Sequence, residues 1–178
     1  MLRIVFSSLV AVALAALLGG CGLAQTVADG TASTARAIFY KQVKTLHLDF
    51  SARTALNTDT SQMNALSVPT LVRVYQLRNA KAAEQATYDL WLHDDEHLLS
   101  ANLLDKRSVV VKPDEGAQLN VPMDPDAQWV VVVALFRTPE AQAGSWRVVL
   151  PRDNLDPDRA RVIELGDNRL TLRPLAEE

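Results

Sequence analysis

His93-Asp-Asp-Glu-His97 sets two imidazoles four residues apart, a spacing that puts both on one face of a helix and can clasp a metal ion. A hydrolytic zinc site of that kind needs glutamate directly after the first histidine to activate water. Here Asp94 stands in that place, and no further ligand is supplied. The stretch reads as a solvated helix face, and no metal is expected. Asp153-Asn-Leu-Asp-Pro-Asp158 is acidic enough for calcium, yet it lacks the glycine and bidentate glutamate of an EF-hand loop and reads as a turn at the start of a helix or strand. Gly144-Ser145-Trp146 lacks the glycines that surround a nucleophilic serine at a sharp strand-to-helix turn. His47 falls on the polar side of an alternating run. Trp91, Trp129 and Trp146 lie in apolar stretches, as core aromatics do. No catalytic residue, cofactor or small-molecule substrate is expected, and the chain does not read as an enzyme.

Cys21, the single thiol, stands in different surroundings, directly after Gly19-Gly20 at the end of an apolar run from Ile4 to Leu18 that follows Arg3. A positive start, an apolar middle and small residues at the end make a secretory signal over residues 1–20. The run is too short for the roughly 20 apolar residues a spanning helix needs. Leu18-Gly19-Gly20-Cys21 resembles the lipobox of bacterial lipoproteins, which implies that Cys21 is lipidated and becomes the first residue after cleavage. With no second cysteine, an internal disulfide is excluded. Lipidation is energetically apt, because each buried methylene contributes about 0.8 kcal/mol and two or three acyl chains hold a domain at a membrane where one does so marginally. Gly22 follows the cysteine where aspartate would favour inner-membrane retention. The resemblance therefore implies the outer membrane, with the domain facing the periplasm.

Residues 21–178 suffice for one domain with a sizeable core. Lys and Arg number 18 against 21 Asp and Glu, a net charge of −3, and loss of Arg3 makes the balance more negative. No basic run or interleaved aromatic patch is present, so nucleic acid is not an expected partner. Residues 21–44 are rich in Ala, Thr, Ser and Gly and read as a lipidated tether averaging roughly 25–30 Å end to end. Thr31–Ala37 could open a short amphipathic helix there, carrying Ile38, Phe39 and Val43 on one side.

From residue 45 onward the pattern is strand-like. Leu46, Leu48, Phe50 and Ala52 alternate with His47, Asp49, Ser51 and Arg53, predicting a half-buried strand. Further strands are predicted over 70–77, 106–112, 118–121, 128–136, 145–150, 160–165 and 169–173. Pro113-Asp114-Glu115-Gly116 reads as the turn of a hairpin joining the third strand to the fourth, and Gly166-Asp167-Asn168 as the turn between the last two. Residues 128–136 are almost wholly apolar and predict a central strand covered on both faces. Leucines at mixed helical spacing predict one or two helices inserted over about 79–104, with Asn79 as a cap. Eight strands and one helical insertion between strands 2 and 3 predict a mainly β fold, an antiparallel sandwich of two sheets.

Val72-Arg-Val-Tyr-Gln-Leu-Arg78, Asp89-Leu-Trp91 with Leu103-Leu-Asp105, Gln128-Trp-Val-Val-Val-Val-Ala-Leu-Phe-Arg137, Trp146-Arg-Val-Val-Leu-Pro151 and Asp167-Asn-Arg-Leu-Thr-Leu172 occur in register. In that order and spacing they resemble the TssJ family, outer-membrane lipoproteins of type VI secretion systems. The resemblance covers most of residues 45–174. It implies a transthyretin-like sandwich, no catalysis, and a role anchoring the envelope-spanning membrane complex through the periplasmic C-terminal region of the inner-membrane subunit TssM. It further implies that the loop after the first strand makes that contact. By position the candidate residues are Asn57, Thr58, Asp59, Thr60, Ser61, Gln62, Met63, Asn64 and Leu66, a polar stretch with Met63 and Leu66 as apolar anchors. The alternative is a lipid-anchored periplasmic sandwich that binds a small ligand or carbohydrate, which would need exposed tryptophans.

Overall fold

The computed structural model describes residues 42–59, 66–140 and 142–175. Cys21, nearly all of the tether and loop residues Thr60 to Asn64 lie outside them. The described strands are β1 (Thr45–Ala52), β2 (Thr70–Leu77), β3 (Leu103–Val111), β4 (Gly116–Pro122), β5 (Trp129–Ala134), β6 (Arg147–Pro151), β7 (Arg161–Gly166) and β8 (Arg169–Leu172). They form two four-stranded sheets, in the orders β4-β1-β7-β8 and β3-β2-β5-β6. The mainly β sandwich read from the sequence is the fold of the protein.

Alternation in β1 does what period two requires. Leu46, Leu48 and Phe50 are buried between the sheets, while His47, Asp49 and Ser51 line an outer face. That outer face is polar: His47 Nδ1 lies 2.6 Å from Asn120 Oδ1, and Glu164 is held by Arg53 and by Arg173, whose Nη2 donates at 2.9 Å. The second sheet is covered twice. Val72 and Val74 of β2 stand in register with Ala134 and Val132 of β5 on the face toward the first sheet; Arg73 and Tyr75 stand with Val133 and Val131 on the other. All of Val130–Ala134 is buried, as its unbroken apolar run predicts.

Three short helices cover that second face: α1 (Lys81–Gln85), α2 (Tyr88–His93) and α3 (Asp95–Leu99). The insertion is shorter than predicted, because Leu103 and Leu104 begin β3 instead of ending a helix. The N-cap of α1 is Ala80, which has no side-chain cap, and not Asn79 as predicted; Asn79, one residue earlier, accepts the N–H of Lys81 on its Oδ1 at 2.8 Å. Trp91, wholly buried, packs 5.1 Å from Tyr75 and 6.4 Å from Trp146, which is also buried. Arg147 of β6 reaches up and donates to the carbonyls of Ala83 (3.0 Å) and Ala86 (2.8 Å), satisfying the end of α1, with its guanidinium 4.9 Å from the Trp146 ring.

Two further expectations need correction. The turn at Pro113–Glu115 does not close a hairpin. β3 pairs with β2 and β4 pairs with β1, so the chain changes sheets there. The turn is drawn onto the first sheet by bonds from Ala52 N–H to Glu115 O (3.1 Å) and from Asp114 N–H to Arg53 O (3.4 Å), with Asp114 at φ 60. One pairing also departs from antiparallel order, since β1 and β7 run parallel: after β6 the chain crosses between sheets through residues 152–160 and enters β7 from the same end as β1.

What clamps the helices to the sheet is a charged cluster that the sequence reading passed over in favour of the neighbouring histidines. Asp95 is 8% exposed. Its Oδ2 accepts from Tyr75 Oη at 2.5 Å and faces Lys106 Nζ at 2.8 Å and Arg73 Nη1 at 3.2 Å. Burial opposes ionisation of Asp95, but hydrogen bonds from Lys106 and Tyr75 and the charge of Arg73 outweigh it and hold the carboxyl below its ordinary range. Replacing Asp95 with asparagine leaves two cations facing a neutral amide and should cost about 2–3 kcal/mol in urea unfolding at pH 7. Because the folded carboxyl titrates below the unfolded one, this contribution is complete above about pH 4 and disappears as pH falls through the depressed value. The wild-type chain should therefore lose stability more steeply than Asp95→Asn in acid, and parallel pH profiles would refute the assignment.

Candidate functional site

The β1–β2 connection leaves the sandwich through a root that is fixed before the tip begins. Leu56 is fully buried, its carbonyl accepts the N–H of Val68 at 3.2 Å, and Ser67 Oγ donates to Thr54 O at 2.6 Å while accepting from Leu56 N–H at 3.3 Å. These contacts close the loop at its neck. Asn57 follows at φ 50, a left-handed backbone that asparagine tolerates better than most side chains. It is 3% exposed; its Oδ1 accepts the N–H of Arg137 at 2.7 Å and its Nδ2 donates to Pro69 O at 3.4 Å.

Thr58 is held by both of its backbone polar groups. Its N–H donates to Asn168 Oδ1 at 2.9 Å, and its carbonyl accepts from Asn168 Nδ2 and Thr138 Oγ1, each at 2.8 Å. Asn168 Nδ2 also reaches Thr138 Oγ1 at 2.8 Å, and the N–H of Asp167 donates to Ala55 O at 3.0 Å. Asp59 carries the connection outward 3.7 Å from Arg137 Nη2. Three connections, after β1, after β5 and between β7 and β8, are thus joined at one end of the sandwich by bonds from side chains to backbone.

Of the nine loop residues named from the sequence, Asn57 and Thr58 belong to the root, Asp59 starts the outward course, and Leu66 stands 69% exposed beside the neck. The other five lie outside the described residues. Arg137, Thr138 and Asn168 were not anticipated at this end. The only sequence signal was turn chemistry: Asp167 and Asn168 both take positive φ (52 and 58), as a two-residue hairpin turn between twisted strands demands. The Cβ of any residue at position 166 would meet the Arg53 stem at 2.7 Å, so Gly166 is the residue that lets Arg53 cross this turn.

The chemical candidates look different in three dimensions. α2 ends at His93 and α3 begins at Asp95, with Asp94 at φ −144 between them, so the two exposed imidazoles do not share one continuous helix. Among the described residues no three His, Cys, Asp or Glu side chains gather to hold a metal ion. Asp156 uses Oδ1 to accept the N–H groups of Asp158 (2.8 Å) and Arg159 (3.0 Å), a local turn. Burial of Trp91 and Trp146 removes two of the three rings a carbohydrate platform would need.

The chain enters this body at the far end. Val43 is buried, its carbonyl accepts from Arg152 Nη2 at 2.8 Å, and the N–H of Met123 donates to Lys44 O at 2.9 Å. β1 then carries the chain its full eight residues, roughly 25 Å, to the loop root. No helix among the described residues is long and apolar enough to cross a membrane.

The family model of the type VI secretion lipoproteins, whose description names VasD, EvfM and TssJ, matches residues 44–168, from the start of β1 through the β7–β8 turn. A chain of the structure described as "Type VI membrane complex" is 36% identical, with a TM-score of 0.70, covering 75% of this chain and 100% of that one. A chain of the structure described as the C-terminal domain of the T6SS protein TssM from EAEC is 34% identical, with a TM-score of 0.66 and the same coverage. Lip of Serratia marcescens, a membrane-bound component of the type VI secretion system, shares the fold at 22% identity and a TM-score of 0.65, again over 75% of this chain and 100% of that one. No curated protein matches the chain.

Asn57→Ala removes the acceptor for Arg137 N–H and puts a Cβ-bearing residue without local hydrogen bonding at positive φ, an expected loss of about 2–3 kcal/mol. Asn57→Gly keeps the backbone freedom and should lose about half as much. Equal losses in urea titrations would show that the hydrogen bond alone matters.

Proposed function

The chain belongs to the type VI secretion lipoprotein family, and on that premise we propose that it anchors the envelope-spanning membrane complex of a type VI secretion system to the outer membrane. It does so by docking the loop after β1 onto the periplasmic C-terminal region of a TssM-like inner-membrane subunit. Residues 1–20 are its signal peptide, Cys21 its lipidated first residue and the stretch up to Lys44 its tether.

The observation that supports this reading best is the opposition of two ends. The segment running from Cys21 joins the sandwich beside Arg152 and Met123, and the β1–β2 loop leaves it at the other end of β1. A domain held to a membrane by acyl chains at its first residue can therefore turn this loop away from the bilayer, toward a partner rooted in the opposite membrane. The root is stiff and polar, and Leu66 offers an apolar side chain for a central contact ringed by hydrogen-bonding groups. Nothing in this assignment asks for catalysis: the chain would work by holding one surface against another.

Replacing Cys21 with serine should move the chain from the membrane fraction to the soluble fraction and abolish secretion; normal secretion by a fully soluble variant would defeat the anchoring role. Asn57 and Ser67 are parts of the fold, so the informative variants are Leu66→Asp and a shortening confined to residues 60–65. Each should weaken binding to the TssM periplasmic region about tenfold or more in calorimetric titration while the thermal transition stays in place. Unchanged affinity in both would overturn the docking surface.

A further inference from the structure

Asn168 makes more hydrogen bonds to the β1–β2 connection than to its own hairpin. Among the described residues its side chain accepts from Thr58 N–H (2.9 Å) and donates to Thr58 O and to Thr138 Oγ1 (2.8 Å each), so one amide group closes a ring that includes the Thr138 Oγ1 to Thr58 O bond. It lies 110 residues from Thr58 in sequence and 30 from Thr138. An amide carries two donors and an acceptor with two lone pairs, the set required to satisfy the N–H and C=O of one residue and a hydroxyl together. Hydroxyl or carboxylate side chains at position 168 could supply only part of it.

The turn itself does not need that side chain. Asp167 and Asn168 both sit at positive φ, where glycine in the second place serves a two-residue hairpin at least as well. The amide at 168 is thus free of a role in making the β7–β8 hairpin, and its reach is toward the loop root.

We infer that Asn168 is a positioning residue for docking: it fixes the direction in which the β1–β2 loop leaves the sandwich, so that the partner meets a root already ordered. This rests on the docking role proposed above. The physical basis is the entropy of ordering. Fixing the backbone of even one or two residues on binding costs enough to change affinity by about tenfold or more, and a root ordered in advance spares that cost. Neighbouring groups act in the same sense, since Asn57 takes the N–H of Arg137 and Asp59 faces its guanidinium. Asn168, in the β7–β8 turn, reaches both of the other connections with one side chain.

Asn168→Gly is the discriminating variant, because it deletes the amide while keeping a favoured turn. The full chain in detergent, titrated well below its melting transition with the TssM periplasmic region, should bind about tenfold more weakly, with faster hydrogen exchange at the Thr58 amide, whereas Asp95→Asn, destabilised under the helices and away from this end, should bind as tightly as the unaltered chain. Asn168→Asp keeps the acceptor for Thr58 N–H and loses the donors, so its affinity should fall between the two. A purely structural role would lower the melting transition and leave the affinity of the folded chain unchanged, or would weaken binding equally in Asp95→Asn, and either result would overturn the inference. So would Asn168→Gly binding as tightly as the unaltered chain. Leu66→Asp separates the two levels of argument. If it weakens binding and Asn168→Gly does not, the positioning role fails and the docking surface stands; if neither weakens it, both fail.

Discussion

A sheet buried on both faces is the constraint from which the rest of this molecule follows. β5 carries four consecutive valines, so neither side of its sheet can face water. The first sheet covers one side. Something else must cover the other, and it is the insertion after β2. That cover is three helices of five or six residues, none long enough to be stable alone. They are held by burial of Trp91 and Leu99 and by two polar clamps from the sheet beneath: Asp95 drawn onto Tyr75, Lys106 and Arg73, and Arg147 reaching the last carbonyls of α1. The first sheet, by contrast, needs no second cover, because β1 and β4 alternate and turn polar groups outward.

This difference explains what could be read from the sequence. Where period or composition alone decides burial, the reading was close: Thr70–Leu77 agrees at both ends, and the alternation of β1 and the valines of β5 placed two very different strands correctly. Where the outcome depends on which elements meet, it was not legible. Proline, aspartate and glycine at 113–116 announce a turn, but a turn is equally compatible with a hairpin and with a change of sheet. Bonds from this turn to the end of β1 decide between them, and no local pattern encodes those.

The loop root shows the same limit more sharply. Asn57 and Asn168 read as ordinary loop and turn residues, and both do adopt the left-handed backbone for which asparagine is suited. Their side-chain bonds cross 80 and 110 residues. Such bonds are each worth only about 1 kcal/mol, too little to leave a pattern in composition, yet together they decide whether an end of the sandwich is a set of separate loops or a single platform. In His93–His97 the visible pattern was the pair of imidazoles, while the residue with structural weight was Asp95, the second of two aspartates between them, whose partners lie on β2 and β3.

For the anchoring role proposed here, the order of the loop end is what would orient the domain. Twenty residues separate Cys21 from Gln42, a contour of at most about 70 Å, so the attachment proposed at Cys21 would bound how far the domain strays from the bilayer. Tethering raises the local concentration of the domain near its partner, an advantage that requires no particular orientation. In that proposal, orientation comes from the docked surface itself. A loop that ordered only on contact would spend binding free energy on its own backbone, and the domain would pivot about that contact. Under the proposed docking, a root bonded to three connections, standing on a sandwich whose second sheet is sealed on both faces, would remove both freedoms before a partner arrives.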